Sequence, residues 1–248
     1  MRADFILRPD WPVPSHVHAV QTLRTGGVSR GEFASLNLGA HVGDDADAVQ
    51  ENRALLARVL ELPGEPLWLS QVHGSHVVIA DARETRTGDA IVARSAGLVC
   101  VIQTADCLPV LFTNATGTCV AAAHAGWRGL AGGVLEATVR AMLMATAEPA
   151  ESLIAWLGPA IGVEAFEVGA EVRAAFVTHD ERASRAFTPN ARGRWQADLS
   201  MLAQQRLTAA GVTKIHGGGL CTATDSERFF SHRRDGRSGR MGTLIWLS

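Results

Sequence analysis

Apolar residues in this chain fall into two kinds of run. Short, β-branched-rich runs recur through the middle: Leu67 to Leu69, Val77 to Ala80, Ala90 to Ala93, Leu98 to Gln103, Pro109 to Thr113 and Cys119 to His124, separated by Gly, Asp and Asn. Short apolar runs bounded by turn formers predict strands rather than helices. Longer stretches predict helices from about Ala46 to Leu60, from Val134 to Ala147, and from Leu199 to Gly211. The first opens at Gly43-Asp44-Asp45 and is closed by the Pro63 to Pro66 turn; the third has Asp198 as its N-cap and stops at its glycine. Gly242 to Leu247 predicts a final strand. Strands outnumber helices, so the pattern predicts an α/β fold with mixed sheets at its centre, not a doubly wound parallel sheet. No low-complexity segment or Pro- or Ser-rich linker interrupts it, and residues 1–248 read as one domain.

Composition narrows the function. The chain has 248 residues, 47% of them hydrophobic, enough for a sizeable core. A net charge of −2 gives no positive field to draw nucleic acid. The arginines are scattered except for Arg228, Arg233, Arg234, Arg237 and Arg240, a cluster that suits a small anion or a solvated face. No apolar run approaches the roughly 20 residues of a membrane span. The opening Met1-Arg-Ala-Asp-Phe-Ile-Leu-Arg-Pro-Asp-Trp lacks the pattern of a secretory signal. The four cysteines (Cys100, Cys107, Cys119, Cys221) include no C-x-x-C pair, which predicts reduced thiols and a cytoplasmic protein.

Three segments carry the chemistry: Ser70-Gln-Val-His73-Gly, Thr104-Ala-Asp-Cys107-Leu-Pro, and Ala121-Ala-Ala-His124-Ala-Gly-Trp-Arg-Gly. Each sets a metal-ligating side chain at the end of an apolar run, beside a residue that turns the chain. Two imidazoles and a thiolate are a zinc donor set, and three protein ligands leave the fourth tetrahedral position open, as catalytic zinc requires. A water there has its pKa lowered to about 7. Spacing alone leaves a second reading open, in which a buried cysteine and two hydrogen-bonded histidines serve the core.

These segments, with Arg24-Thr-Gly-Gly-Val-Ser, Ser35-Leu-Asn-Leu-Gly, Asn52-Arg53 and the stretch from Cys221 to Met241, resemble the YfiH family, in its order, from about residue 20 onwards. Its members were long labelled multicopper polyphenol oxidases or laccase-domain proteins and are now assigned as purine nucleoside phosphorylases. The resemblance implies a four-layer α/β/β/α fold of two packed sheets flanked by helices. It places zinc on His73, Cys107 and His124, with copper possible in the same site. It also implies purine nucleosides and phosphate as substrates: phosphorolysis of adenosine, inosine and methylthioadenosine, together with adenosine deamination. The match departs at His232, where the family more often carries tyrosine.

The remaining candidates surround that centre. Arg128, between Gly126 and Gly129, opens a helix after His124; it reads as a phosphate ligand or a surface arginine. Arg24, Arg53 and Arg240 are phosphate candidates by their place in family-like motifs. Trp127, Phe229 and Phe230 either stack a purine or pack the core. Asp106 reads as proton donor, orienter of the cysteine ligand, or turn stabiliser. His76 is expected to turn away from His73, His16 and His18 to lie in an exposed N-terminal segment, and Cys100 and Cys119 to be inert core thiols. The expected partners are small molecules, not nucleic acid or a membrane, with the protein a monomer or weak homodimer. Three rivals stand against this reading. They are a copper oxidase, which would need a His-Cys-His run absent here; an amidase on a cell-wall precursor with Cys107 as nucleophile and His124 as base; and a non-catalytic binding module.

Overall fold

In the computed structural model, residues 5–82 and 86–248 are described; Met1 to Asp4, the start of the stretch read for a secretory signal, lie outside the described residues. The elements run β1 (Ile6–Leu7), β2 (Val17–Thr22), α1 (Ala46–Val59), β3 (Pro66–Leu67), β4 (Val77–Ile79), β5 (Ala90–Ala93), β6 (Val99–Thr104), β7 (Leu108–Asn114) and β8 (Val120–Ala125). They continue with α2 (Trp127–Ala131), α3 (Val134–Thr146), β9 (Leu153–Leu157), β10 (Glu167–Val168), α4 (Ala170–Val177), β11 (Phe187–Pro189), β12 (Trp195–Ala197), α5 (Leu199–Ala209), β13 (Lys214–Gly217), α6 (His232–Asp235) and β14 (Met241–Leu247). The strands form a five-stranded sheet in the order β1-β2-β14-β6-β3, a six-stranded sheet in the order β13-β9-β7-β8-β5-β4, and a small sheet β10-β12-β11. Both large sheets are mixed: β3 pairs parallel to β6, β4 to β5 and β13 to β9, while the other pairs are antiparallel.

Side-chain alternation explains why these sheets stack. On β6, Val99 and Val101 pack with Leu36, Leu38, Leu244 and Leu56 of α1. Cys100 and Ile102 point the other way, into a layer with Ile91, Leu111, Val120, Ala122 and Ile245. The far face of the six-stranded sheet, including Val110, Phe112 and Ala121, packs on Val134, Leu135 and Met142 of α3 and Leu202 and Leu207 of α5. The order is therefore helix, sheet, sheet, helix, as the resemblance implies. Because both sheets are covered on both faces, their central strands are continuous apolar runs rather than alternating ones. The helix starts follow from their caps: Asp45 accepts from the Asp47 amide at 2.8 Å, and Asp198 from the Met201 amide at 2.8 Å.

The differences from the sequence pattern are local. The run Leu67 to Leu69 is extended only through Leu67. β1, β2, β9 to β13, α4 and α6 are additions. His18 lies inside β2, stacked on Trp246 of β14 with ring centroids 5.4 Å apart, and not in an exposed segment. His16 is exposed as expected, its Nε2 3.1 Å from the Gly117 carbonyl. Among the described residues, no helix is long and apolar enough to cross a membrane.

Candidate metal centre

The ligand set is built by the same alternation that fills the core. Val120 and Ala122 of β8 point between the two large sheets, and one further step along the strand puts His124 on that face at its end. Asp89 continues the inward positions Ile91 and Ala93 of β5, directly opposite His124, whose amide donates to the Asp89 carbonyl at 2.6 Å. Cys107 stands two steps before Pro109, the β7 partner of His124. The apolar layer between the sheets thus ends in a patch of chemistry. His73 completes it from the loop between β3 and β4, with φ of 60°.

The ligand atoms of His73, Cys107 and His124 all lie within 4.8 Å of one another, with Cys107 Sγ and His73 Nε2 4.0 Å apart. A tetrahedral zinc with Zn–S of about 2.3 Å and Zn–N of about 2.1 Å sets its ligands about 3.5 Å apart, so a small inward movement closes the set. His124 is buried, Cys107 half-buried and His73 exposed, which leaves one side open. Burial pushes the Cys107 thiol up, but the positive charge of His124 and hydrogen bonds from His124 and His73 outweigh it and bring it to about 6. Burial likewise opposes charge on His124, yet the Cys107 thiolate and the Asp89 carboxylate raise it to about 9. Thiolate character is the state in which cysteine ligates a metal. A Cβ added at Gly126 would sit 2.8 Å from Cys107 Sγ, so glycine is what keeps the cluster clear of the turn into α2. The donor set fits a metal ion.

The arginine candidates separate. Arg24 is a strut: its guanidinium donates to the carbonyls of Ala34 and Ser226 and lies over the Phe230 ring. Arg53 donates to the Leu38 carbonyl at 3.0 and 2.7 Å and stacks 3.8 Å from the Trp68 ring centroid. Arg240 is half-buried and bonds the Ser238 and Gly239 carbonyls; desolvation lowers its pKa, against the charges of Cys107 and Asp106. Arg228 and Arg234 pair with Asp225 and Asp235, and Arg237 reaches the Gly43 carbonyl. Arg233 reaches the Glu167 carbonyl with its guanidinium, so the sequence cluster disperses. Arg128 is exposed, its guanidinium 4.5 Å from the centroid of half-buried Trp127. α2 has only 5 residues, so the guanidinium, not a helix N-terminus, is what an anion would meet there.

Two readings left open by the sequence narrow. Phe229 and Phe230 have 0% exposure and pack with Leu23, Ala105 and Met241; neither ring is open to a purine. Asp106 has φ of 86°, and its carboxylate accepts from Thr222 Oγ1 and the Arg233 amide, both at 2.6 Å. Both oxygens are engaged, so Asp106 ties the C-terminal loop to the turn that carries Cys107. Cys100 and Cys119 are buried, and burial raises both thiols. Cys221 lies away from the cluster, accepting from the Gly162 amide at 3.1 Å.

Two residues escaped the sequence reading. Asp89 bonds His124 Nδ1 at 2.8 Å and the His73 loop; an aspartate immediately before a fully apolar strand was its only signal. His41 is exposed, and desolvation followed by Arg240, Arg53 and His73 holds its imidazole below the ordinary range. Nothing in its sequence neighbourhood pointed to it.

These observations define an α/β protein with a half-open His/Cys/His centre at the mouth of a two-sheet sandwich. The chain belongs to the family described as multi-copper polyphenol oxidoreductase laccase, which matches residues 18–248. It is 55% identical over 242 residues to the Pseudomonas aeruginosa protein named purine nucleoside phosphorylase PA4543, covering 97% of this chain and 98% of that protein. It is 50% identical over 244 residues to purine nucleoside phosphorylase YfiH of Escherichia coli, with 98% of each covered. The crystal structure of Neisseria meningitidis protein NMB0706 has a TM-score of 0.91 and 45% identity, covering 99% of this chain and 100% of that one. The resemblance to the YfiH family and the mixed-sheet fold are thereby borne out.

Proposed function

We propose that this chain is a zinc-dependent purine nucleoside phosphorylase acting on adenosine, inosine and methylthioadenosine, with adenosine deamination as a second activity. The observation that carries the reading is the cluster of three ligand atoms within 4.8 Å, open on the side of exposed His73. Relatives over the whole chain length that are named purine nucleoside phosphorylases supply the reaction. Phosphorolysis breaks the bond between C1′ and the purine nitrogen and forms a bond from C1′ to a phosphate oxygen. The bonding pair leaves with the purine, which takes up a proton, and the sugar passes through an oxocarbenium-like state, as in glycoside hydrolysis.

His73, Cys107 and His124 would hold the ion, which when bound supplies Lewis acidity to an oxygen beside it. Arg240 and Arg53 would provide positive charge for phosphate, and guanidinium suits a phosphate's paired oxygens. Arg128 and Trp127 form a cation–π pair on the rim, where a purine face can stack. Asp106 serves this site as a positioning group. Copper would take the same donors with higher affinity than zinc. Multicopper oxidation, however, couples several copper centres, and His73, Cys107 and His124 form the one such ligand group among the described residues.

The test is inosine with and without phosphate. Hypoxanthine and ribose 1-phosphate are expected in equal amounts, and only when phosphate is present. Free ribose formed in phosphate-free buffer would replace phosphorolysis by hydrolysis. With adenosine, inosine should accumulate as well.

A further inference from the structure

We infer that Asp89 is the positioning residue of the metal centre, one buried carboxylate that sets both histidine ligands at once. The inference rests on the metal-binding reading above. Asp89 has 0% exposure, and a buried carboxylate is tolerated only when its oxygens are fully bonded. Its partners account for it. His124 Nδ1 lies 2.8 Å from Oδ1, and the amides of Val72, His73 and Gly74 lie 3.2, 2.9 and 2.7 Å from the same carboxylate. No partner comes from the rest of the core.

Each contact does something different for the ligands. Donation by Nδ1–H to Asp89 fixes the His124 tautomer that leaves Nε2 on the Cys107 side, and holds the ring's orientation. The three amides gather consecutive residues around the carboxylate, and this holds His73 in the left-handed backbone region, which a non-glycine residue adopts only at a cost. His73 and His124 come from a loop and a strand far apart in sequence. The Asp89 carboxylate is bonded to both, through the His124 ring and the His73 amide, and so helps to set how far apart they stand. Its backbone carbonyl adds a third tie, accepting from the His124 amide at 2.6 Å.

Asparagine is the informative replacement. It keeps the shape but has one acceptor oxygen, and its NH2 group must face either the Val72 and Gly74 amides or, in place of Oδ1, both Nδ1–H of His124 and the His73 amide. In either orientation part of the set loses its tie. Metal uptake is read with Co2+, whose visible spectrum reports ligand geometry, and affinity by competition with a chelator. Asp89→Asn should weaken Co2+ binding by about 10- to 100-fold and alter the ligand-field bands. The thiolate-to-cobalt band should persist, because Cys107 still ligates. Apo-protein melting is measured alongside. A lower melting temperature with unchanged affinity would show a merely structural aspartate and overturn the inference. If Asp89→Asn does not fold, Asp89→Glu decides: it keeps the charge but displaces the carboxylate. Weakened Co2+ binding by this variant supports the inference, and wild-type affinity overturns it. Wild-type protein that takes up no Co2+ would sink the metal reading and the Asp89 inference together. Equal uptake by wild type and both variants would sink the Asp89 role alone.

Discussion

Gly126 stands so close to Cys107 that a Cβ built on it would lie 2.8 Å from Sγ and 3.2 Å from Cδ2 of His73. Its backbone is ordinary, with φ of −62° and ψ of 156°, so an alanine there would meet no conformational penalty. The whole cost would fall on the ligands. Gly126→Ala should therefore lose most bound zinc while keeping all three ligands and a near-wild-type melting temperature. Elemental analysis with thermal melts would check it, and full zinc retention would show that the cluster has room to spare.

The ligands themselves make the more direct case. Purified protein should carry close to one zinc per chain, and His73→Ala, Cys107→Ser and His124→Ala should each lose most of it. The fold should survive each change, because three apolar layers hold it independently of the cluster. Stoichiometric zinc in all three variants would reject the assignment.

Much of this site was legible because strand periodicity and chemistry coincide. β5, β7 and β8 are apolar enough to announce themselves, and Cys107 and His124 stand where those runs end. The four layers needed the resemblance, since periodicity cannot say which face meets which. β2 was hidden by the proline-rich opening and by His18, which reads as polar yet stacks on Trp246. Asp89 was invisible for a different reason: its role depends on β5 lying beside β8, a long-range pairing that no local pattern encodes. The arginine cluster misled because proximity in sequence is not proximity in space. Its members leave for separate carboxylates and carbonyls.

Arg240 and Arg128 offer different tests of phosphate binding. Arg240 is half-buried and fastened by its Nη1 to the Ser238 and Gly239 carbonyls. Arg128 is exposed on the rim. Arg240→Ala should raise the phosphate KM by about tenfold or more, the loss of one charge-assisted contact of about 1.5–3 kcal/mol. The nucleoside KM should move little. Arg240→Lys should rescue only part, since lysine keeps the charge and loses the fork. Arg128→Ala should affect phosphate less and deamination, which needs no phosphate, least. Equal losses in both reactions for both variants would point to structural roles instead.

Thiol chemistry separates the metal reading from a free cysteine nucleophile. Cys100 and Cys119 have 0% exposure and thiols raised by burial, so neither should react with iodoacetamide in the folded protein. Cys221 is half-buried and outside the ligand group, accepting from the Gly162 amide, and its labelling should not depend on metal. Cys107 is the informative one. As a zinc ligand its sulfur pair is engaged, and alkylation should be slow in the zinc-loaded protein. Stripping the ion with a chelator should then expose a thiolate held by His124 and His73, and labelling should accelerate sharply. Readdition of zinc should restore protection. An amidase-type nucleophile would behave in the opposite way, reacting readily in the protein as purified and ignoring the chelator. Peptide mass mapping of the four cysteines before and after chelation reads both outcomes at once, and fast, chelator-independent labelling of Cys107 would remove it from the ligand set.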